Sequence, residues 1–589
     1  MCDTRQIWVL VTAPFARSLN DYAPWPVLLS GYANPTQALV SIAYSASDPA
    51  GVPVGTNGYT PASGYFRLWR TQAPQARNGA SILSGGDYIP LGTYAATSLG
   101  FSVSTRLVDL FIEPVTPGTN QTLLVEVDPD GSGPKGFVCV DKWQSTVIRI
   151  EDLDWLAATN EAMHHTDLYQ TNALLLRRCD KFKVDVRLSA GYSSDEHKLW
   201  FEAFDTFDGS LKTSKVPAVT SDLSPGEWYA KLLTVSNSAD GTRTAHIEIN
   251  IPTNAAIGEY RWRLNLSPKD ADGNVIAQKW FQDYVIVLFN PWAPSDEVYM
   301  ADDSHRNEYV LGMNGVIRLY DSYGTCSTMR WRYAQFSADA LHALLCEISA
   351  SGHGFIGNRS DRSSATGISR HLGARCDAID GGILAGKWQP PYTAAHKLPW
   401  EWAGSDEILR IYNSSGGQSA RYGQCWVYAG LLTTLLRSAG IPARPLTNHT
   451  SHHDKNGNGI DDTYYYPDGT VYDYETWSFH AWCDAWMRRS DRPGHDGWQA
   501  VDGTPQEPSN GTYRMGPAPL SAIRSNAGGL YDVDFVYSEV QNRPFNRWVG
   551  DGTSAWTLTD TGTTTWIGAE IVTKSVASDS FQDIRSEYK

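Results

Sequence analysis

The sequence predicts a multidomain chain in which two antiparallel β-sandwiches precede an α+β core. Three observations carry that prediction. Period-two alternation runs through Phe182, Val184, Val186 and Leu188, and again through Tyr260, Trp262, Leu264 and Leu266, which marks half-buried strands of antiparallel sheets. A proline-bearing stretch, Tyr284-Val-Ile-Val-Leu-Phe-Asn-Pro-Trp-Ala-Pro294, then closes that module near residue 290. Beyond it the period changes, with helical spacing first and strands afterwards, the order of an α+β unit.

Composition sets the outer bounds. A chain of 589 residues holds about four domains, or three if one is large. Hydrophobic residues at 42% and charged residues at 19% fit a globular chain with sizeable cores. The 22 Trp and 30 Tyr suit β-sheets and aromatic-lined grooves. A formal charge of −16 argues against nucleic acid and anionic membranes as partners, and is compatible with carboxylate sites for divalent cations. None of the eight cysteines has CxxC spacing, so neither zinc nor a dense disulfide framework is indicated. Free thiols and the lack of a visible signal peptide lead to the expectation of a reducing, cytoplasmic compartment, and no apolar run is long enough to span a membrane.

In chain order, residues 1–150 read as an accessory β-sandwich. Thr122-Leu-Leu-Val-Glu-Val127 and Phe137-Val-Cys-Val140 are short apolar strands around a turn-rich Asp128–Pro134. The acidic link Glu151-Asp-Leu-Asp-Trp-Leu156 is expected to be helical and opens the second sandwich, 151–292. The α+β core, 293–589, starts with a helix carrying Leu341, Leu344, Leu345 and Ile348. A second helix follows Cys425, with Val427, Tyr428, Leu431, Leu432 and Leu435 on its apolar face and Gly440 and Pro442 ending it. Ser478–Trp486 and Gly497–Asp502 then read as strands joined by a Gly/Pro-containing loop.

Cys425 therefore stands at the N-terminus of a largely buried helix, where the helix dipole favours a thiolate. Such a cysteine is also commonly an inert structural thiol. The dipole contributes roughly 0.3–1 kcal/mol, under one pKa unit at about 1.36 kcal/mol each, so an imidazolium must do most of the activation. His480 and Asp502 are the candidate partners, side by side on neighbouring strands, with the carboxylate orienting the imidazole.

These residues lie in segments that resemble the signature segments of animal-type, calcium-dependent transglutaminases. The segments are Tyr422-Gly-Gln-Cys-Trp-Val427, Trp477-Ser-Phe-His-Ala-Trp482 and Gly497-Trp-Gln-Ala-Val-Asp-Gly-Thr-Pro-Gln-Glu507. Further matches keep the same order, among them Leu288-Phe-Asn-Pro-Trp292, Gly386-Lys-Trp388 and Asn510–Pro517. The resemblance implies immunoglobulin-like sandwiches, a papain-like core, and Cys425, His480 and Asp502 as nucleophile, general base and acid, and orienting carboxylate. It implies that Trp388 donates to the oxyanion with the Cys425 backbone N–H, and that Trp477 faces Trp388 across a substrate tunnel. The implied reaction moves an acyl group from a glutamine-containing protein, through a Cys425 thioester, to a lysine or polyamine. A glutamine deamidase or cysteine protease would use the same triad, and a non-enzymatic scaffold would ordinarily have lost part of it.

The stretch Asp454-Lys-Asn456-Gly-Asn458-Gly459-Ile460-Asp-Asp462 begins like an EF-hand loop, but Tyr465 stands where the closing Glu belongs. By resemblance it is a calcium loop with Asp454, Asn456, Asn458 and the Ile460 carbonyl as ligands, closed by Asp473 or Glu475. Asp377 and Asp380 resemble part of a second Ca2+ site. A third family site is not expected, because Gln541 and Arg543 follow Glu539-Val540. The family's two C-terminal β-barrels are not expected in this chain, and the module at 1–150 is an addition to the family pattern.

Overall fold

The computed structural model describes residues 148–589, apart from short stretches of which 350–358 is the longest, and within 1–147 only the backbone of strands. Those strands pair in two sheets. One joins Thr4–Ile7, Gln37–Ser45, Phe101–Thr105, Thr122–Glu126 and Phe137–Val140; the other joins Trp25–Val27, Leu110–Pro114, Tyr65–Thr71 and Tyr88–Ala95. Thr122–Glu126 and Phe137–Val140 are antiparallel partners. The turn expected at 128–134 lies outside the described residues.

A second pair of sheets follows. One runs Ile150–Asp154, Lys181–Leu188, Arg243–Asn250, Tyr229–Asn237, Ala218–Val219; the other runs Leu174–Arg177, Val285–Leu288, Gly258–Pro268, His197–Asp205, Thr213–Val216. Phe182, Val184, Val186 and Leu188 share one core with Tyr260, Trp262, Leu264 and Leu266, and all eight are fully buried. Each such burial stabilises by roughly 1.5–3 kcal/mol relative to exposure. The link expected to be helical is instead a strand: Ile150–Asp154 pairs antiparallel with Lys181–Leu188, and the helix starts later, at Ala157–Met163. A register shift between Ile150 and Asp152 breaks the strand's alternation, which hid it from a period-two reading.

The sandwich is bolted to the rest of the chain by buried ion pairs. Arg178 makes a bidentate pair with Asp296 (2.8 and 2.9 Å), and Arg362 reaches Asp205 at 2.7 Å. All four groups are buried. A guanidinium forked onto a carboxylate keeps both charges satisfied away from water.

The core has the expected order. Helices Ala338–Ser349, Ala365–Arg375, Ser405–Ser414 and Cys425–Ser438 precede a six-stranded sheet. Its strands run Met515–Pro519, Gly497–Asp502, Thr476–Met487, Ala443–His452, Glu570–Lys574, Phe581–Asp583, each antiparallel to its neighbour. The Cys425 helix is not amphipathic in its setting, since all 14 residues are buried. Gly430 is what allows this: a Cβ there would meet the indole Nε1 of buried Trp331 at 2.5 Å. The helix ends where Gly440 takes φ +91°, with Gly440 N–H donating to Arg437 and Ile441 N–H to Leu436.

Candidate active site

Cys425 is the first residue of its helix, delivered by the short strand Ala420–Gly423. That strand lies parallel to Leu384–Gly386, with Gly386 opposite Gly423, and Lys387 N–H donates to the Gly423 carbonyl. The Gln424 side chain donates to the Lys387 carbonyl at 3.1 Å. The chain carrying Trp388 is thereby laced to the chain carrying the thiol. Trp388 is 38% exposed, and its ring lies over Gly386, where a Cβ would come within 2.5 Å of it. A glycine is needed there for the indole to approach the backbone this closely.

The helix start passes the sheet at Phe479, whose ring stacks on Trp426 at 5.9 Å. The next residue is His480, fully buried. Its Nε2 sits 2.7 Å from Asp502 Oδ2, while its Nδ1 has no hydrogen-bond partner and the Cys425 thiol bears on the ring. A carboxylate accepts only, so the contact places the proton on Nε2 and leaves Nδ1 free to act on the thiol. The two residues are not directly opposite. The ladder pairs Cys483 with Val501, so Asp502 reaches His480 diagonally.

Burial by itself would push the imidazole pKa down. The Asp502 charge and hydrogen bond, the Cys425 contact and Glu539 outweigh it and hold His480 well above the usual histidine range. Asp502 gathers three donors: His480, the Thr504 backbone N–H on Oδ1 at 2.8 Å, and the Gln506 amide on Oδ2 at 2.5 Å.

Two residues here were not singled out from the sequence. Gln506 donates to Asp502 and accepts from His453 Nδ1 at 2.8 Å. His453 stacks on Trp477 (4.8 Å, 9°), and Trp477 sets its edge against His480 at 5.2 Å. The ring contacts of Trp477 are thus His453 and His480, whereas Trp388 is seated by Gly386. Glu539 is buried, with Oε1 3.7 Å from His480 Nε2. Gln506 sits within the Gly-Thr-Pro-Gln-Glu segment and was legible as motif only; Glu539 lies 59 positions past His480 on a separate helix, Val533–Val540.

The loop 454–462 folds on itself. Gly459 N–H donates to Asp454 Oδ2, Asn458 N–H to Asn456 Oδ1, and Ile460 N–H to Asn458 Oδ1. Asp454 Oδ1 is buried without a partner. The expected closing acids both bond residues of this loop: Asp473 pairs with Lys455 at 2.7 Å, and Glu475 accepts from the Asp462 N–H at 3.1 Å. Arg543 Nε donates to the Gly459 carbonyl at 2.9 Å. Asp377 is buried and pushed up to about 6 by burial, with Asp380 adding to the shift. Asp380 accepts from the Tyr513 N–H at 2.6 Å. Among the described residues, no three His, Cys, Asp or Glu side chains converge as a metal site. The orphaned Asp454 oxygen and the amide oxygens beside it are nonetheless the donor type a hard divalent cation takes.

A thiol, an imidazole and a carboxylate are the group types that serve as nucleophile, base and orienter in acyl transfer. Comparison with known proteins identifies the family. The family described as Transglutaminase family matches residues 151–267, and the Transglutaminase-like superfamily core matches 410–503. The chain is 34% identical over 450 residues to protein-glutamine gamma-glutamyltransferase E of Bos taurus, covering 75% of this chain and 63% of the relative. It is 34% identical over 476 residues to the coagulation factor XIII A chain of Homo sapiens, covering 79% and 62%. The crystal structure of red sea bream transglutaminase superposes with a TM-score of 0.66 at 29% identity, over 75% of this chain and 65% of that one. The chain thus spans a little under two thirds of the length of these relatives. With its N-terminal sandwich and core both matched, it belongs to the transglutaminase family.

Proposed function

We propose that this chain is a protein-glutamine γ-glutamyltransferase that uses Cys425, His480 and Asp502. The observation that carries the reading is the His480 imidazole, held by Asp502 at one nitrogen and open to the Cys425 thiol at the other. His480 takes the thiol proton, and the thiolate attacks a glutamine side-chain carboxamide. The tetrahedral oxyanion is met by the Cys425 backbone N–H, which no helical carbonyl can engage at the first position, and by the Trp388 indole. His480 then gives its proton to the departing ammonia, leaving a thioester. A lysine or polyamine amine, deprotonated by His480, attacks the thioester carbon and releases the cysteine. Trp477, stacked on His453 and edged against His480, lines the approach of the amine.

Ca2+ is the proposed cofactor. Asp454, Asn456, Asn458 and the Ile460 carbonyl would hold it, and the buried unpartnered oxygen of Asp454 supports that assignment. Closure by Asp473 or Glu475 requires either side chain to leave its present partner. Asp377 and Asp380 are the proposed second site. When bound, the ion would supply positive charge to these oxygens and hold the loop in one conformation. We also take the module boundaries to be 1–150, 151–292 and 293–589.

Fluorescent-amine incorporation into a glutamine-bearing protein, with and without calcium, tests the reading. Cys425→Ala is expected to abolish incorporation with the fold intact. Ammonia release without incorporation would make the chain a deamidase, and cleavage of the protein a protease.

A further inference from the structure

The His480–Asp502 pair accounts for only one of the two buried carboxyl groups at this imidazole. Glu539 is the other. Its position is built rather than incidental. Asn448, the cross-strand neighbour of His480, is itself buried, and its side chain grips the Glu539 carbonyl at 2.8 Å. Ser451, on the same strand, donates to that carbonyl at 3.4 Å. The strand that aligns His480 therefore also fixes the helix end that carries Glu539. Burying an acid is costly unless a charge or donor meets it. The titratable groups facing Glu539 are His480 and Asp502, with Gln506 bonded between them and His453 on the far side of Gln506. Next to it in the chain, Ser538 meets His452 and Asp454. The cation that bears on Glu539 is thus the imidazolium of His480.

We propose that Glu539 is a second carboxylate for His480, a positioning residue that shares with Asp502 the task of holding the imidazolium opposite Cys425. The proposal rests on His480 being the acid–base partner of Cys425, the element it shares with the acyl-transfer reading. Asp502 bonds Nε2 directly and sets the tautomer, and Glu539 stands behind it at 3.7 Å, close enough to add charge once it ionises. Gln506 keeps the two carboxyls from meeting bare, since its amide contacts both. Burial pushes the Glu539 carboxyl up to about 8, so it carries its proton in neutral solution and sheds it in mild alkali. The sign follows. As pH rises through that point, Glu539 gains negative charge beside His480 and resists loss of the imidazolium proton. The thiolate–imidazolium pair then survives to higher pH than Asp502 alone would permit.

The test is the pH dependence of Cys425 alkylation by iodoacetamide in the full chain, read on the Cys425 peptide by mass spectrometry so that other thiols do not interfere. Glu539→Gln keeps the shape and removes the charge. An opposite charge within about 4–6 Å moves a pKa by roughly 1–3 units, so the imidazolium step of the variant is expected about one unit lower, a tenfold change in its ionisation constant. Glu539→Asp restores charge and is expected to return the step most of the way. Superimposable profiles for wild type and Glu539→Gln would overturn the proposal, as would an equal effect of Glu539→Asp and Glu539→Gln. Should Glu539→Gln not fold, Glu539→Asp decides: drawing the carboxylate back by one methylene is expected to lower the imidazolium step part of the way, and a profile superimposable on wild type overturns the proposal. Alkylation requires no glutamine or amine substrate, so failure of this proposal and failure of the transferase reading give different results.

Discussion

Replacing Asp502 with Asn removes one charge and almost no volume, and the structure makes the consequence calculable. Burial disfavours the charged imidazole, and the Asp502 charge is the first of the effects that oppose it. Losing an opposite charge at hydrogen-bond distance lowers the imidazolium pKa by about 1–3 units, so the thiolate–imidazolium population at about pH 6 falls roughly 10- to 1,000-fold. The amide cannot be accommodated quietly either. Its two atoms face Thr504 N–H, Gln506 and His480 Nε2–H, all donors. The Asn –NH2 must meet one of them, or Gln506 must flip and release His453. One buried donor is left without a partner, a cost of about 1–3 kcal/mol in stability. That loss has a pH window. A histidine raised in the folded state contributes stability that is complete below its unfolded pKa of about 6.5 and fades as pH rises through the folded value. The variant is therefore expected to lose most stability in acid and less in alkali. The assay is Cys425 alkylation against pH, with urea unfolding at matched pH. Alkylation of the variant should be depressed below about pH 7. A variant alkylated at wild-type rates near about pH 6 would refute the claim that Asp502 holds the imidazolium.

Gly430→Ala sets helix propensity against packing: the gain of about 1 kcal/mol is opposed by a Cβ driven into Trp331, with overpacking costing about 1–3 kcal/mol. Trp331 also stands to lose its hydrogen bond to Ser405, so net destabilisation of about 1–3 kcal/mol is expected in urea, and a stabilised variant would contradict the packing. Asp296→Ala removes the bidentate partner of Arg178 and leaves Glu297, at 3.1 Å, as its remaining carboxylate, so a cost of about 3 kcal/mol is expected, read as a lower unfolding midpoint. Chelating calcium is expected to stop amine incorporation, and Asp454→Ala to raise the calcium needed by about 10–100-fold; activity indifferent to chelator would sink the cofactor assignment. Trp388→Phe keeps the ring over Gly386 and deletes the indole N–H, so kcat should fall by about 100-fold with KM little changed; an unaltered kcat would remove Trp388 from the oxyanion site.

Much of the fold was legible because it rests on short-range rules. The alternation of Phe182–Leu188 and Tyr260–Leu266 translates directly into buried faces, since side chains of a strand alternate whatever the partner. The helix after Cys425 was legible from its spacing and its Gly440 stop, though its burial on every side was not. Propensity and period describe one helix at a time, whereas burial depends on what packs against it. The strand Ile150–Asp154 was misread because one register shift suffices to break a two-residue period. The loop 454–462 was legible as an oxygen-rich turn, but the partners of Asp473 and Glu475 depend on strands folded beside it.

The division at the catalytic centre follows the same physics. By itself the sequence determined which chemistry was available: a thiol at a helix start, an imidazole within a strand, a carboxylate at the end of the next, and tryptophans in fixed order with them. Side-chain type and local spacing settle those matters, because each is a property of a few consecutive residues. The tertiary structure decided the rest. It placed Asp502 diagonal to His480 instead of opposite it, and left the other imidazole nitrogen without a hydrogen-bond partner. It also brought Gln506 and Glu539 to the same ring, each near Nε2, from a loop and a separate helix. A pKa is set by burial and by charges within a few ångströms, and neither exists until distant segments have packed.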